Sequence, residues 1–228
     1  MRIYTPRILV VSKAVGGDDR RSSASVPNPV INPAPTVDDW AILPDGRIAV
    51  VRGRDYHVDF VDADNSVVSS PNVPFGWRKL EHSDKVALID STKALRSRLS
   101  GGDAVVPSSV TIVTGNAPPS QNGPLPPTPD ATYVNPDELP DYLPVFANGG
   151  IRADADGNIW VRTISPTMAA GGAVYDVLDG GGRLIDRVQA PKEAVIAGFA
   201  PGGVVFLARR DPRGVTLLRV HHRLPGRK

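Results

Sequence analysis

A tight turn built on Asp-Gly or Pro-Gly, with an alternating apolar strand behind it, returns three times along this chain, at Leu43-Pro-Asp-Gly46, Ala155-Asp-Gly157 and Ala200-Pro-Gly-Gly203. Glycine supplies the positive φ that such reversals need, so each occurrence predicts a hairpin. The clearest is Gly150–Ile164, a short strand, an Asp-Gly turn and the alternating return Ile159-Trp-Val-Arg-Thr163. A chain punctuated in this way folds into many short antiparallel strands.

Each turn sits at the head of a longer unit. In the first, Trp40 to Leu43 is followed by Arg47–Arg52, Tyr56–Val61 and, after the Asp62–Asn65 turn, Ser66–Ser70. The second runs Gly150–Gly157, Asn158–Ile164, Gly172–Leu178, the loop Asp179–Gly182 and Arg183–Gln189. The third, Ile196–Gly203, Val204–Arg209 and Val215–His221, stops at three strands. Gly157 and Gly203 lie 46 residues apart, close to the period of about 40–45 residues of four-stranded propeller blades. The 111 residues from Gly46 to Gly157 hold one such period plus an insertion. The fold class expected is all-β, a partial β-propeller of four-stranded antiparallel blades, about three blades plus a partial one. Its expected parts are a partial blade and connector over 1–36, a blade over 37–71, an insertion over 72–149, a blade over 150–190 and a three-stranded last blade over 195–224. The partial blade is a hairpin read within residues 3–26.

The insertion carries the one convincing helix pattern, 83–100, with Ser83 as N-cap, Asp84 in the first turn and Gly101 beyond the end. Leu88, Leu95 and Leu99 give it a narrow apolar stripe, so it is expected to pack, on a blade edge or the top of the barrel. The prolines that follow describe an extended loop, with 115–130 expected to be mobile. Gly 22 and Pro 23 among 228 residues fit short elements better than long helices.

Cysteine is absent, which removes disulfides, thiolate metal sites and a cysteine nucleophile. Net charge is +2, and the basic tail Arg219–Lys228 has no interleaved aromatics, so no nucleic-acid partner is expected. The apolar run Ile8–Val11 is too short for a signal-peptide core or a membrane span, so neither is expected from these residues.

The run Trp40–Phe60, with Gly53-Arg-Asp-Tyr-His57 inside it, then Pro74-Phe-Gly-Trp-Arg78 and Asp154-Ala-Asp-Gly-Asn-Ile-Trp-Val161, resembles secreted bacterial six-bladed β-propeller proteins of the NHL and TolB-like groups. The resemblance spans about residues 37–224. It implies a propeller fold and a periplasmic or extracellular location. The chain departs from the pattern in lacking a signal peptide and in having too few blades to close a ring. The shortage implies completion by a missing N-terminal half of a longer protein, or by a homodimer.

For chemistry, Arg52, Arg54, Asp55, His57 and Asp59 form the densest polar group on any strand. Period-two alternation places Asp55, His57 and Asp59 on one face, which allows a ligand or metal site; the competing reading is an outward face of cross-strand ion pairs. Trp40, Trp77 and Trp160 are read as packing anchors, except that Trp77 and Arg78 open the insertion and could face a pocket. Arg52, Arg54, Asp55, His57, Asp59, Trp77 and Arg78 are therefore the candidate ligand-binding set, with no catalytic residue, metal or cofactor expected. Asp154-Ala-Asp156-Gly157 lacks calcium-loop spacing and is read as a turn. His82, His221 and His222 are read as surface histidines. The function expected is a non-catalytic binding or scaffold propeller of the bacterial envelope, for a small molecule or protein. The alternative is a metal-dependent hydrolase or lactonase working from a central channel, which needs acids from several inner strands.

Overall fold

The computed structural model describes residues 30–100, 131–164, 171–212 and 214–222. The hairpin read within 3–26 and the loop 115–130 lie outside the described residues. Packing divides the chain into two units. Among the described residues one unit comprises 34–80 and 140–222, the other 30–33 and 81–139.

The smaller unit opens with β1 (Val30–Ile31), which pairs in parallel with a strand at Thr132–Tyr133. The larger unit is three antiparallel sheets. The first follows the chain as β2 (Asp39–Ile42), β3 (Ile48–Val51), β4 (Val58–Val61) and β5 (Val67–Ser69). In the smaller unit come α1 (His82–Ser100) and β6 (Thr132–Tyr133). The second sheet is β7 (Phe146–Ala153), β8 (Ile159–Thr163), β9 (Val174–Leu178) and β10 (Leu184–Gln189). The third has β11 (Ala194–Ala200), β12 (Val204–Asp211) and β13 (Gly214–His221). In each of these three sheets every strand pairs with its neighbour in sequence, as closely spaced turns dictate. The fold is all-β in its sheets, and these do not close into a barrel.

Asp-Gly is favoured in two-residue hairpin loops, but the turns here are of another kind. The amide of Leu43 bonds the carbonyl of Arg47 and that of Gly46 bonds Leu43, and the same pair of bonds recurs at 62–66, 154–158 and 179–183. The left-handed residue is Gly46, Asn65, Gly157 or Gly182, with φ between 64° and 89°, while Asp45 and Asp156 keep negative φ. These are three-residue loops, a type I turn closed by one left-handed residue. Aspartate earns its place by its side chain: Asp45, Asp64 and Asp179 each accept backbone N–H groups inside their own turn. Those bonds hold the Asp45 and Asp64 carboxyls below the ordinary range.

The sheets stack face to face. Ala41, Leu43, Ala49, Val51 and Phe60 of the first pack with Phe146, Ile151, Ile159 and Val161 of the second in one core. The opposite face of the second sheet sends Trp160, Tyr175 and Val177 against Ile196, Val205 and Leu207 of the third. Covered on both sides, β9 is buried at every residue. Polar ties reinforce both seams. The Ile151 amide donates to Asp39 Oδ2 (3.3 Å), and Arg47 reaches the Gly180 carbonyl. Across the second seam, the two oxygens of Asp156 accept the amides of Gly202 and Gly203 at 2.9 and 2.6 Å.

Several local expectations change. The strand expected from Gly150 begins at Phe146, because a register shift between Phe146 and Ile151 absorbs the Asn-Gly-Gly run. Tyr56 and His57 precede β4: Tyr56 lies at φ 51°, and its amide bonds back to Arg52 to finish a turn. Trp40 is half exposed on the open face of the first sheet, beside Ile42 and Ile48, so it is not a packing anchor within this chain's described residues. In the smaller unit α1 starts at His82, and the Asp84 carboxylate accepts the Glu81 amide, so Ser83 is inside the helix rather than its cap. Its buried positions are Lys85 and Ile89, with Leu88 partly covered, whereas Leu95 faces solvent. Lys85 Nζ donates to the Leu139 carbonyl at 3.0 Å, following a 3-10 turn at Pro136–Glu138 that packs on the helix.

Candidate functional site

The β3–β4 turn holds most of the candidate residues because its backbone has little room to move. A Cβ on Gly53 would lie 2.0 Å from the Val37 carbonyl oxygen, and the Gly53 amide donates to Asp38 Oδ1 at 3.0 Å. The loop is therefore pressed onto the strand entry at residues 37–38. From this anchor the side chains fan out in two directions.

On the open face of the first sheet, Arg52 sits between two carboxylates, with Nη1 at 2.8 Å from Asp38 and Nε at 2.7 Å from Asp59. Asp59 also accepts the Ser69 hydroxyl, and its Oδ1 lies 3.2 Å from His57 Nε2. The other nitrogen of His57 lies 3.0 Å from Asp55. The three side chains do come together, though through the turn at Tyr56 rather than strand alternation, and Arg52 makes cross-strand ion pairs there. Burial pushes the Asp59 carboxyl up, but the Ser69 hydroxyl and the Arg52 guanidinium outweigh it and hold it below the ordinary carboxylate range. Desolvation works against the Arg52 charge, yet Asp38 and Asp59 raise its pKa overall. A network whose acids already hold a guanidinium, a hydroxyl and an imidazole stabilises the sheet more than it offers a ligand.

This carries a pH prediction. Asp59 titrates lower in the folded chain than its unfolded value of 3.8. Its contribution is thus complete above about pH 4 and is lost as pH falls through the folded value. Asp59→Asn should cost about 2 kcal/mol at pH 7, the scale of a hydrogen bond to a charged group. Urea midpoints followed from pH 7 to pH 3 should fall more steeply for the native chain than for the variant. Parallel curves would refute the assignment.

In the other direction Arg54 points to an open cleft of about 700 Å³. Its lining also includes Thr36, Gly53, Trp77, Pro140, Asp141, Tyr142 and Pro144. Backbone bonds from Leu80 to Asp141 and from Leu143 to Arg78 pair the two chain segments. That pairing sets Trp77 against Tyr142, ring centroids 6.4 Å apart and planes at 80°. A ladder of rings supports it from below. Phe146 touches Tyr56, Tyr56 meets Phe75 edge-on, and Phe75 meets Trp77 edge-on at 5.7 Å. The ladder runs from the fully buried Phe146 and Tyr56 to the half-exposed Trp77 and Tyr142.

No family model, curated protein or solved structure matches this chain.

The candidate set thus separates. Arg52, Asp55, His57 and Asp59 belong to the ion-pair network, Arg54 and Trp77 line the cleft, and Arg78 does not line it, its backbone carbonyl accepting the Leu143 amide. Sequence reasoning passed over Tyr142, Pro140 and Pro144, which lie more than 60 residues from Trp77 and meet it through segment pairing alone. Asp154 is the hub of its turn: it accepts the Asp156 and Asn158 amides, the Asn158 side-chain amide and the Trp160 indole N–H, all within 2.9 Å. Among the described residues no three His, Asp or Glu side chains are placed to hold a metal ion. His82 and His221 are exposed, but His222 is not a surface histidine: it is partly buried, 2.7 Å from Asp186 and edge-on to Trp160.

Proposed function

We propose that this chain is a non-catalytic binding module of β-propeller type, related to the NHL and TolB-like proteins of the bacterial envelope, and that its ligand occupies the Arg54–Trp77–Tyr142 cleft. The observation that carries the reading is the exposed Trp77–Tyr142 pair held on a ladder of core aromatics, with Arg54 beside it. Large apolar rings are costly to expose, and a rigid, half-exposed pair in a concavity is the usual form of a recognition site. The stacked four-stranded meanders support the architectural half of the proposal. The uncovered apolar faces, Trp40 and Ile42 on the first sheet and Val195 and Leu217 on the third, are where further sheets would stack in a ring. The periplasmic or extracellular location rests on the sequence resemblance.

The test is a nuclear magnetic resonance screen of a mixed fragment library against the 15N-labelled chain. Hits should move the Trp77 indole resonance, identified by its loss in Trp77→Phe, and Trp77→Ala should weaken them by about tenfold or more, as for a central anchor residue. Hits that leave that resonance unmoved, or a library without hits, would remove the cleft as the binding site.

A further inference from the structure

The shape and donor content of the cleft point to a class of ligand, an inference that rests on the cleft being the binding site. Trp77 and Tyr142 stand nearly perpendicular, at 80°, and Phe75 stands at 79° to Trp77. Perpendicular rings make a notch between an edge and a face. Sugars instead call for a flat platform. The remaining walls, Pro140 and Pro144, are rigid and apolar.

The polar groups narrow the choice. Trp77 Nε1–H, the Tyr142 hydroxyl and the Arg54 guanidinium have no hydrogen bond to any described residue, and all three can donate. Asp141 also lines the cleft; its backbone carbonyl accepts the Leu80 amide, and its carboxylate makes the lining mixed in charge. A site with notched apolar walls and surplus donors suits a ligand that presents ridges of pyrrolidine and bare carbonyls. A polyproline II strand does so, because it has no internal hydrogen bonds and few or no N–H groups of its own. Aromatic-lined grooves recognise such strands at little entropic cost. Arg54 brings to the lining a positive charge with no ion pair to any described residue, which a carboxylate on the strand would complement.

We infer that the cleft binds a proline-rich peptide segment carrying an acidic residue, the prolines seated in the open angle where the Trp77 and Tyr142 rings meet and the acid on Arg54. The probes are three synthetic peptides: decaproline, the same run ending in aspartate, and an alanine-rich control with the same aspartate. Titrations follow the Trp77 indole resonance. The aspartate-bearing proline peptide should bind saturably and roughly threefold more tightly than decaproline, the scale of an exposed ion pair. Arg54→Ala should erase that difference while leaving decaproline binding in place. Trp77→Ala, titrated through its backbone amide resonances, should abolish both, and folding of each variant is checked by its amide spectrum. Equal binding of the alanine-rich control would overturn the inference, as would proline peptides that leave Trp77 unmoved. An oligosaccharide of uronic acids is titrated in parallel. If it alone moves Trp77, the cleft remains the binding site and the proline assignment falls; if nothing moves Trp77, both fall.

Discussion

Replacing Asp176 with alanine is expected to lower the free energy of unfolding by about 3 kcal/mol. Asp176 lies with no exposed surface on β9, an inner strand of a sheet covered on both faces. Its Oδ2 accepts the Tyr56 hydroxyl at 3.0 Å, a bond between the first and second sheets. Arg187 on β10 grips both oxygens, Nε at 2.6 Å and Nη2 at 3.2 Å. Burial, then the Asp176 charge and hydrogen bond, raise the Tyr56 phenol far above its ordinary range, so its proton always faces Asp176. Alanine strands that buried hydroxyl, which costs about 1–3 kcal/mol, and removes a charge-assisted pair. The Arg187 side chain is about half exposed and can turn to water, which keeps the total from climbing higher. Urea unfolding of the native chain, Asp176→Ala, Tyr56→Phe and the double variant gives the coupling directly. Additive losses would show that the bond between the sheets carries no energy of its own.

Trp160→Ala should cost about 3–5 kcal/mol, the range for truncating a buried aromatic. Trp160 is nearly inaccessible and fills the second seam, edge-on to Tyr175 and His222 and tilted over Phe199 at centroid distances of 6.1, 5.0 and 5.3 Å. No other described side chain in that core is as large, so the neighbours cannot close the gap. The lost indole also deprives Asp154 of one donor, although three others hold the turn. In thermal unfolding the midpoint should drop by roughly 10 °C. Trp160→Phe, which keeps most of the volume but not the N–H, should fall between the two. A loss in Trp160→Ala no larger than that of the phenylalanine variant would mean that packing is not what Trp160 supplies.

The turns show why part of this fold could be read in advance. Asp62–Asn65 and Asp179–Gly182 reverse the chain through bonds within five residues, so local composition carries their position. Strand order follows, since neighbours in sequence pair. The three-stranded last sheet was equally visible in its spacing. What the sequence conceals depends on which surfaces meet. Val174-Tyr-Asp-Val-Leu178 looks like an ordinary strand with one polar residue, and the burial of Asp176 follows from sheets arriving on both faces. Leu95 promised a packing stripe that the buried Lys85 and Ile89 supply instead. In the cleft, Arg54 and Trp77 stood out as polar and aromatic residues near a turn. Tyr142 did not, because its role exists once residues 78–80 and 141–143 are side by side.

The contact of Ile151 with Asp39 Oδ2 joins residues separated by 112 positions, whereas every strand pair within the three antiparallel sheets joins near neighbours. Each sheet can therefore form from local encounters, and the first seam must wait for a long loop to close. The entropy of that closure grows with the logarithm of loop length, so doubling the intervening chain adds about 0.6 kcal/mol. Less than the burial of one methylene thus separates this chain from one carrying an entire extra domain between its first and second sheets. The seam sets a speed for folding, yet leaves the length and content of what lies between largely unconstrained.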